Sequence, residues 1–366
     1  MRARFFSLIA LASCATLGTP GEGDVDLPSS GVGPFRKLTS QEVREIAPSV
    51  LAGLKTQYRE PSALAVASDG SQSVYLYVVA ETTDAMMRTT TAIVRTRADD
   101  GRSFFGTKDD SGHAPRTIIV PDQPWEGGRV GGPSVLRVGG EVWLYYYGAG
   151  GIGLARSSDG DAFTKIAQPV LIADPSAGFE GATIAAPSVA QYPDGSFRML
   201  YASGGRIFEA ESADGIAWKR RDPDPSTPAI DPVLGPADPV DPASLAPGEK
   251  PPFDTASVGD PCLVPRVTPA GRLQVRVLYT GADATGQSAI GFAARYGDSG
   301  PLSRQPTPLY SVALHEAAPT LFAWRGGIML YVHEDYSATS PVAAIAAGVA
   351  PANISLGTPG AYAAAP

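Results

Sequence analysis

The stretch "GPSVLRVGGEVWLYYYGAGGIGLARSSDGDAFTK" (Gly132–Lys165) holds three elements in a fixed order. A Pro and a small residue lead an apolar run, a Gly-rich turn leads a Leu-Tyr run, and an Asp-Gly turn precedes an aromatic residue. Its end, "IGLARSSDGDAFTK", is matched 55 residues later by "IFEAESADGIAWKR" (Ile207–Arg220). Because Asp-Gly between apolar runs favours a hairpin turn, these stretches predict short antiparallel strands.

The same order of elements recurs along the chain, with the last element degenerate in the fourth and fifth copies. The Pro-led strands contain Pro61, Pro133, Pro187, Pro261 and Pro319; the Leu-Tyr strands contain Tyr77, Tyr145, Tyr201, Tyr279 and Tyr331; the Asp-Gly turns are at Asp100, Asp159 and Asp214. Four strands per unit, repeated five times, predict an all-β fold, a five-bladed β-propeller of four-stranded antiparallel blades. A β-sandwich is the alternative, but sandwiches do not repeat one marker order in every unit.

The composition agrees with an all-β chain and excludes several classes of function. The 366 residues include 41 Gly and 34 Pro and are only 18% charged, which indicates many turns and short strands. A formal net charge of −8 disfavours binding to nucleic acid. There is no Gly-x-Ser-x-Gly elbow, no zinc-ligand spacing and no Walker loop in the sequence.

The N-terminus, "MRARFFSLIALASCATLG", has the features of an export signal. Arg2 and Arg4 precede a short apolar run, Phe5–Ala12, which is too short to span a bilayer. "LASC" resembles the bacterial lipobox, and the resemblance implies cleavage before Cys14 and lipidation of its sulfur. We therefore expect an exported protein that is lipid-anchored in the bacterial cell envelope. The alternative is an ordinary signal peptide cleaved near Ala12–Ala15.

The remaining organisation follows from composition. The capping-box pattern at Thr39 and Glu42 predicts short helical turns before the first repeat, and Pro48 interrupts it. The predicted divisions are a signal peptide over residues 1–13, a flexible tether over 14–35, a strap or short helix over 36–58, a propeller over 59–350 with a Pro-rich insertion at 222–252, and an Ala/Pro-rich tail over 351–366.

The Gly132–Lys165 unit resembles a blade of the five-bladed glycoside hydrolases, which include the arabinanase/β-xylosidase and invertase/levansucrase families and the related mannoside phosphorylases. The resemblance covers residues 59 to about 350. It implies that each innermost strand begins at a central funnel and that acidic residues just before the Pro of the repeat point into it. Hydrolysis of a glycosidic bond requires two such carboxylates.

Carried onto this chain, the pattern matches only in part. The resemblance implies Asp260, Glu60 and Glu316 as catalytic residues, with Asp260 before Pro as the best match. Gly132 and Ala186 stand where two further acids are expected. Each acid also has a structural alternative, since an Asp before Pro can simply cap a turn.

Five further residues are candidates for substrate binding. Trp125 could stack on a sugar ring, although core packing is the commoner use of Trp. Arg129 could donate to a substrate hydroxyl or carboxylate. Glu180 and Asp254 could bind substrate or order their loops, and His315 could bind a central cation or cap a strand.

These features support two hypotheses of different classes. The first is a surface-tethered glycoside hydrolase-like enzyme that cleaves a glycan through carboxylates at the funnel. The second is a propeller lipoprotein that binds carbohydrate or protein without catalysis; a structural envelope protein is a third alternative. The expected partner is a glycan or oligosaccharide, with membrane contact only through the lipid, and a monomer is expected. The sequence identifies no certain cofactor, and a Ca²⁺ ion in the central channel stays an open alternative.

Overall fold

Short antiparallel strands form nearly all the regular structure of the computed structural model. It describes residues 35–38, 49–51, 54–68, 71–104, 115–267, 271–311, 315–324, 327–335 and 344–351. The strands are β1 (Arg36–Lys37), β2 (Ser49–Leu51), β3 (Leu54–Ser68), β4 (Ser71–Thr83), β5 (Thr89–Ala98), β6 (Arg116–Ile119), β7 (Gly131–Val138), β8 (Glu141–Gly148), β9 (Gly151–Ser157), β10 (Thr164–Lys165), β11 (Ala185–Gln191), β12 (Phe197–Ser203), β13 (Arg206–Ser212), β14 (Lys219–Arg221), β15 (Ser257–Val267), β16 (Leu273–Ala282), β17 (Ser288–Tyr296), β18 (Ser303–Arg304), β19 (His315–Trp324), β20 (Gly327–Asp335) and β21 (Ala344–Pro351). Three 3-10 helices lie between them, at Pro124–Glu126, Pro175–Ala177 and Pro242–Ser244.

The strands form a β-propeller of four sheets. The first blade has the order β2-β3-β4-β5-β6, the second β10-β9-β8-β7 and the third β11-β12-β13-β14. The fourth is an eight-stranded sheet that contains β15 to β21 and β1. Buried hydrophobic clusters lie between neighbouring sheets, as for Leu136 of β7 with Phe208 of β13.

The prediction of five separate four-stranded blades is wrong, because the fourth and fifth sequence repeats share one sheet. Strand β17 of the fourth repeat pairs with β19 of the fifth in parallel, through Ser288 and His315. All other pairings within the eight-stranded sheet are antiparallel. A repeat in the sequence therefore does not by itself decide where hydrogen bonding stops.

The Pro of each repeat marks a β-bulge. In β3, β7, β11, β15 and β19, here called the inner strands, the pairing register shifts at the Xaa-Pro pair, for example between Arg59 and Ser62. Pro has no N–H to give to the ladder, so a bulge is where a sheet accepts it. The Ser that follows then joins neighbouring inner strands: Ser62 Oγ accepts from Val135 N at 3.1 Å, and Ser134 Oγ accepts from Val189 N at 3.0 Å.

The Asp-Gly turns also join neighbouring repeats. Their Asp carboxylates accept nearby backbone N–H groups at the surface, as at Asp159. Their glycines are buried, and the glycine carbonyls accept from tyrosine hydroxyls of the adjacent repeat: Tyr77 to Gly160, Tyr145 to Gly215 and Tyr331 to Gly101. The last pair closes the ring, because Tyr331 is in β20 and Gly101 follows β5.

The N-terminal segment takes part in the last sheet. Strand β1 pairs with β21, and Lys37 forms an ion pair with the buried Glu334 of β20. The predicted helical turn at Thr39 and Glu42, the export signal and Cys14 lie outside the described residues, so they stay predictions. Within the described part of the chain, no helix has the length and apolar character needed to cross a membrane.

Candidate active site

A cavity lies where the five inner strands meet. Each inner strand lines it with three residues in the same pattern: a variable residue, Pro and a small residue. The lining triads are Glu60-Pro61-Ser62, Gly132-Pro133-Ser134, Ala186-Pro187-Ser188, Asp260-Pro261-Cys262 and Ala318-Pro319-Thr320. The element that defines the repeat in sequence is therefore also the wall of the cavity.

The variable residue has the same unusual backbone in every triad. Its φ lies between 42° and 53° at Glu60, Gly132, Ala186, Asp260 and Ala318. A residue with a Cβ seldom adopts this left-handed conformation, and each one costs about 1–3 kcal/mol unless its surroundings impose it. Glu60 and Asp260 are thus held in strained positions at the cavity by the bulges of their strands.

Two donors from the second repeat bind Glu60. The backbone N–H of Gly132 donates to Oε2, and the hydroxyl of Tyr147 lies 3.2 Å from Oε1. Burial is the largest effect on this carboxyl, the charge of Asp260 is the next, and together they raise its pKa to about 7. The hydrogen bonds from Gly132 and Tyr147 and the charge of Arg59 act in the opposite direction.

Asp260 lies in the same cavity with its own donors. The hydroxyl of Thr280 donates to Oδ2 at 2.9 Å, and Thr280 in turn accepts from the backbone N–H of Ala318 at 2.9 Å. Burial raises the pKa of the Asp260 carboxyl, and the Thr280 and Ala318 donors oppose that rise. Glu60 and Asp260 therefore share a site in which the charge of one disfavours ionisation of the other.

The third predicted acid lies elsewhere. Glu316 is fully buried in β19, pairs in register with Glu334, and is not among the cavity-lining residues, where Ala318 stands before Pro319. His315 is partly buried and occupies the pairing position opposite Ser288 of β17. Glu60 and Asp260 both line the cavity, and Glu316 is not among its lining residues.

The predicted sugar-binding residues Trp125 and Arg129 are also outside the lining of the cavity. Trp125 is half-buried and packs on Tyr146, with ring centroids 5.7 Å apart. Its ring also occupies the space above Gly153, where a Cβ would lie 2.6 Å from it. Arg129 is exposed, and its positive charge lowers the pKa of the Tyr147 hydroxyl, which its other neighbours raise.

Glu180 and Asp254 are buried and bound to basic side chains of outer strands. Arg220 of β14 lies 2.7 Å from Glu180, and Arg304 of β18 lies 2.5 Å from Asp254. Each acid stands seven residues before the Pro of its repeat. Glu126 occupies the same place in the second repeat, fully buried and 2.6 Å from Lys165 of β10. These three pairs hold loops and outer strands together.

Sequence reasoning missed two features of this site. Tyr147 is one, because the Leu-Tyr run reads as a buried strand and nothing in it marks a hydroxyl that reaches Glu60. The other is the fixed spacing of Glu126, Glu180 and Asp254 from their prolines, which is visible in the sequence once the repeats are aligned. That shared spacing would have indicated a structural role common to the repeats.

The expectation of a bound cation finds no ligand set in the described part of the chain. No group of three or more His, Cys, Asp or Glu residues there is placed to hold a metal ion. The cavity lining carries two carboxylates, Glu60 and Asp260. Two carboxylates that share a cavity can act as an acid and a base.

Comparison with known proteins shows the fold. No protein-family model matches the chain, and no curated protein matches it in sequence. A solved structure from the GH130 family of mannoside phosphorylases, which contains glycoside hydrolases that target β-1,2-mannosidic linkages in Candida mannan, is similar with a TM-score of 0.61 and 15% identity over 88% of this chain and 96% of that one.

Two further solved structures have the same architecture. A proposed glycosidase from Bacteroides thetaiotaomicron gives a TM-score of 0.55 at 17% identity, over 88% of this chain and 96% of that one. A glycoside hydrolase gives a TM-score of 0.55 at 16% identity, over 87% of this chain and 96% of that one. At these identities, the similarity establishes that the chain is a β-propeller of the kind found in glycoside hydrolases.

Proposed function

We propose that the protein is a glycosidase-type enzyme that cleaves a glycosidic bond of a glycan in the central cavity, with Glu60 and Asp260 as its two carboxylates. The observation that carries the proposal is the environment of Glu60, whose pKa is raised to about 7 by burial and by the charge of Asp260. A carboxylic acid that keeps its proton near neutral pH can protonate a leaving oxygen.

The two environments suggest separate roles. With a pKa of about 7, Glu60 keeps its proton in about half of the molecules at pH 7 and serves as the general acid, while Asp260 is the base or nucleophile. Asp260 accepts a hydrogen bond from Thr280, and such a donor stabilises a carboxylate in its ionised form. Cleavage of a glycosidic bond needs this combination of one acid and one ionised carboxylate on either side of the bond.

Glu316 has no part in this proposal. It is fully buried and absent from the cavity lining, so it offers no surface on which a sugar could act. The similarity of fold to solved glycoside hydrolases supports the choice of a glycan as substrate.

The test is activity of the purified protein on a panel of aryl glycosides and polysaccharides, with and without inorganic phosphate. We expect Glu60→Gln and Asp260→Asn each to lower kcat/KM at least ~100-fold, which is the usual contribution of a general acid or base. Glu249→Gln is the control, since Glu249 is exposed. Undiminished activity in either cavity variant would remove that residue from the mechanism.

A second candidate is a glycan-binding propeller without catalysis. It is favoured by one observation: three of the five variable positions, Gly132, Ala186 and Ala318, offer no functional side chain to the cavity. Calorimetric titration with the same glycans distinguishes the two candidates. Binding that Asp260→Asn abolishes, in a protein that turns over none of the panel, would support the binding role and reject the enzyme.

A further inference from the structure

Tyr147 has an unusual position for a residue of its strand. It is the third of three consecutive tyrosines in β8 and is only partly buried, whereas Tyr145 and Tyr146 are fully buried. Its hydroxyl lies 3.2 Å from Oε1 of Glu60, a residue of the neighbouring repeat. The contact therefore joins β8 of the second repeat to β3 of the first, at a residue that lines the cavity.

Two glycines make room for the Tyr147 ring. A Cβ on Gly131 would lie 2.5 Å from Cζ and 2.6 Å from the hydroxyl oxygen of Tyr147, and a Cβ on Gly132 would lie 2.8 Å from Cδ1. Real Cβ atoms do not approach other atoms so closely, because packed interiors leave no such overlap. Gly132 stands where an acid was expected, and the tyrosine ring uses that space instead.

The donors of the second repeat fix where the proton of Glu60 resides. The N–H of Gly132 can only donate, so Oε2, which it contacts, must be an accepting oxygen. The carbonyl oxygen of a protonated carboxyl group is its stronger acceptor, so this contact favours Oε2 as the carbonyl oxygen and the proton on Oε1. That oxygen is the one beside the Tyr147 hydroxyl, which can accept as well as donate.

We infer that Tyr147 is a positioning residue for Glu60: together with Gly132 it orients the carboxyl group and places its acidic proton on Oε1, the oxygen beside the Tyr147 hydroxyl. The role of this orientation in catalysis rests on the proposed function. The structural content of the inference, that the Tyr147 hydroxyl controls ionisation of Glu60, can be measured without any substrate.

The test compares Tyr147→Phe with the wild type over a pH series. The hydroxyl lowers the pKa of Glu60, so its removal raises that pKa. We expect the alkaline limb of the kcat/KM profile to move up by roughly 0.5–1 pH unit, the equivalent of one hydrogen bond of ordinary strength. We also expect kcat to fall about tenfold with KM changed little, because orientation is lost rather than substrate contact.

Tyr146→Phe is the matched control. Tyr146 is adjacent in β8 and also donates its hydroxyl to a buried carboxylate, that of Glu126 at 2.8 Å. Neither Tyr146 nor Glu126 lines the cavity. This variant should lower Tm without moving the alkaline limb. If the alkaline limb of the kcat/KM profile lies at the same pH in Tyr147→Phe and in the wild type, the inference is overturned.

A measurement without substrate separates this inference from the proposed function. Carbon-13 NMR of glutamate-labelled protein, with Glu60→Gln used to assign the signal, reports the titration of the Glu60 carboxyl directly. An upward shift of that titration in Tyr147→Phe supports the inference even if no glycan is cleaved. An unchanged Glu60 titration rejects it, whether or not the protein is an active glycosidase.

Discussion

Glu60 combines two features that each reduce the stability of the folded protein. Its backbone is in the left-handed region before a Pro, and its carboxyl group is held near the charge of Asp260. Both features raise the free energy of the folded protein, so they persist only because the bulges of the surrounding sheets fix them. Such stored strain is typical of sites that bind or react.

The raised pKa of Glu60 predicts a pH-dependent stability with a definite sign. Its folded-state pKa of about 7 is above the ordinary value of 4.5, so protonation favours the folded protein and its benefit is lost as pH rises from about 4.5 through 7. Glu60→Gln cannot ionise. We therefore expect it to be more stable than the wild type by up to ~3 kcal/mol at about pH 8.

Chemical denaturation at several pH values checks this prediction. The advantage of Glu60→Gln should shrink toward zero as the pH falls below about 4.5, where the wild-type carboxyl becomes protonated in both the folded and the unfolded state. Glu249→Gln, at an exposed position, should track the wild type throughout. A difference in the free energy of unfolding between Glu60→Gln and the wild type that is the same at all pH values would contradict the raised pKa of Glu60.

At the scale of elements, the outer strands are held by buried acids. Glu126, Glu180 and Asp254 each pair with a cation of an outer strand, and a tyrosine of the second strand lies beside each acid. These tyrosines are Tyr146, Tyr201 and Tyr279. A two-residue outer strand such as β10 has few ladder hydrogen bonds, so the ion pair provides much of its attachment.

Lys165→Met tests the attachment of β10. The substitution leaves the fully buried Glu126 without its cation, and removal of one partner of a buried pair typically costs about 3–5 kcal/mol. We expect a loss of ~3 kcal/mol in the free energy of unfolding, measured with urea. Lys219→Met in β14 is the control, since Lys219 is exposed and should change stability by less than ~0.5 kcal/mol. Similar losses in both variants would refute the role of the pair.

At the scale of the whole molecule, the ring is closed by contacts between the two ends of the chain. Tyr331 donates to the carbonyl of Gly101 at 2.6 Å, and the indole N–H of Trp324 donates to the carbonyl of Asp100 at 3.1 Å. Strand β1 adds an edge to the last sheet, with Phe35 and Leu38 buried beside it. Closure therefore depends on residues far apart in sequence.

Two truncations test the contribution of β1. Deletion of residues 1–34 leaves Phe35, Leu38 and the Lys37–Glu334 pair in place, whereas deletion of residues 1–38 removes all three. Burial of two large side chains and satisfaction of a buried charge together contribute at least ~4 kcal/mol. We expect the longer deletion to lower Tm by roughly 10 °C relative to the shorter one, as measured by calorimetry. Equal Tm values would show that β1 is dispensable.

Much of this architecture was predictable, since local patterns define local structure. The Pro-led strands, the Asp-Gly turns and the all-β propeller follow from turn chemistry and repetition. The convergence of Glu60 and Asp260 also followed from their shared place before Pro. The strands and turns depend on residues that act within one repeat, whereas the meeting of Glu60 and Asp260 was implied by the family resemblance.

The errors concern contacts between repeats. The fourth and fifth repeats form one sheet through a single parallel pairing of Ser288 with His315, and no sequence pattern indicates this pairing. A second error is the alignment of the tyrosines between repeats, which depends on strand register. The Ser after the Pro pairs with Tyr145 in the second repeat, where it is Ser134, but with Leu200 in the third, where it is Ser188. Tyr146 and not Tyr145 is thus equivalent to Tyr201. In the fifth repeat the residue that lines the cavity with a left-handed backbone is Ala318, two residues after Glu316.

That shared conformation has an evolutionary consequence. Four of the five equivalent positions, all except Gly132 beside the Tyr147 ring, carry a side chain at the cavity, and two of them, Ala186 and Ala318, adopt the left-handed geometry without a reactive group. The backbone geometry at these positions is therefore kept whether or not the residue carries a reactive side chain. Homologous proteins with this fold can gain or lose a reactive side chain at one of these positions by a single substitution, while the residues that specify the strands and bulges stay the same.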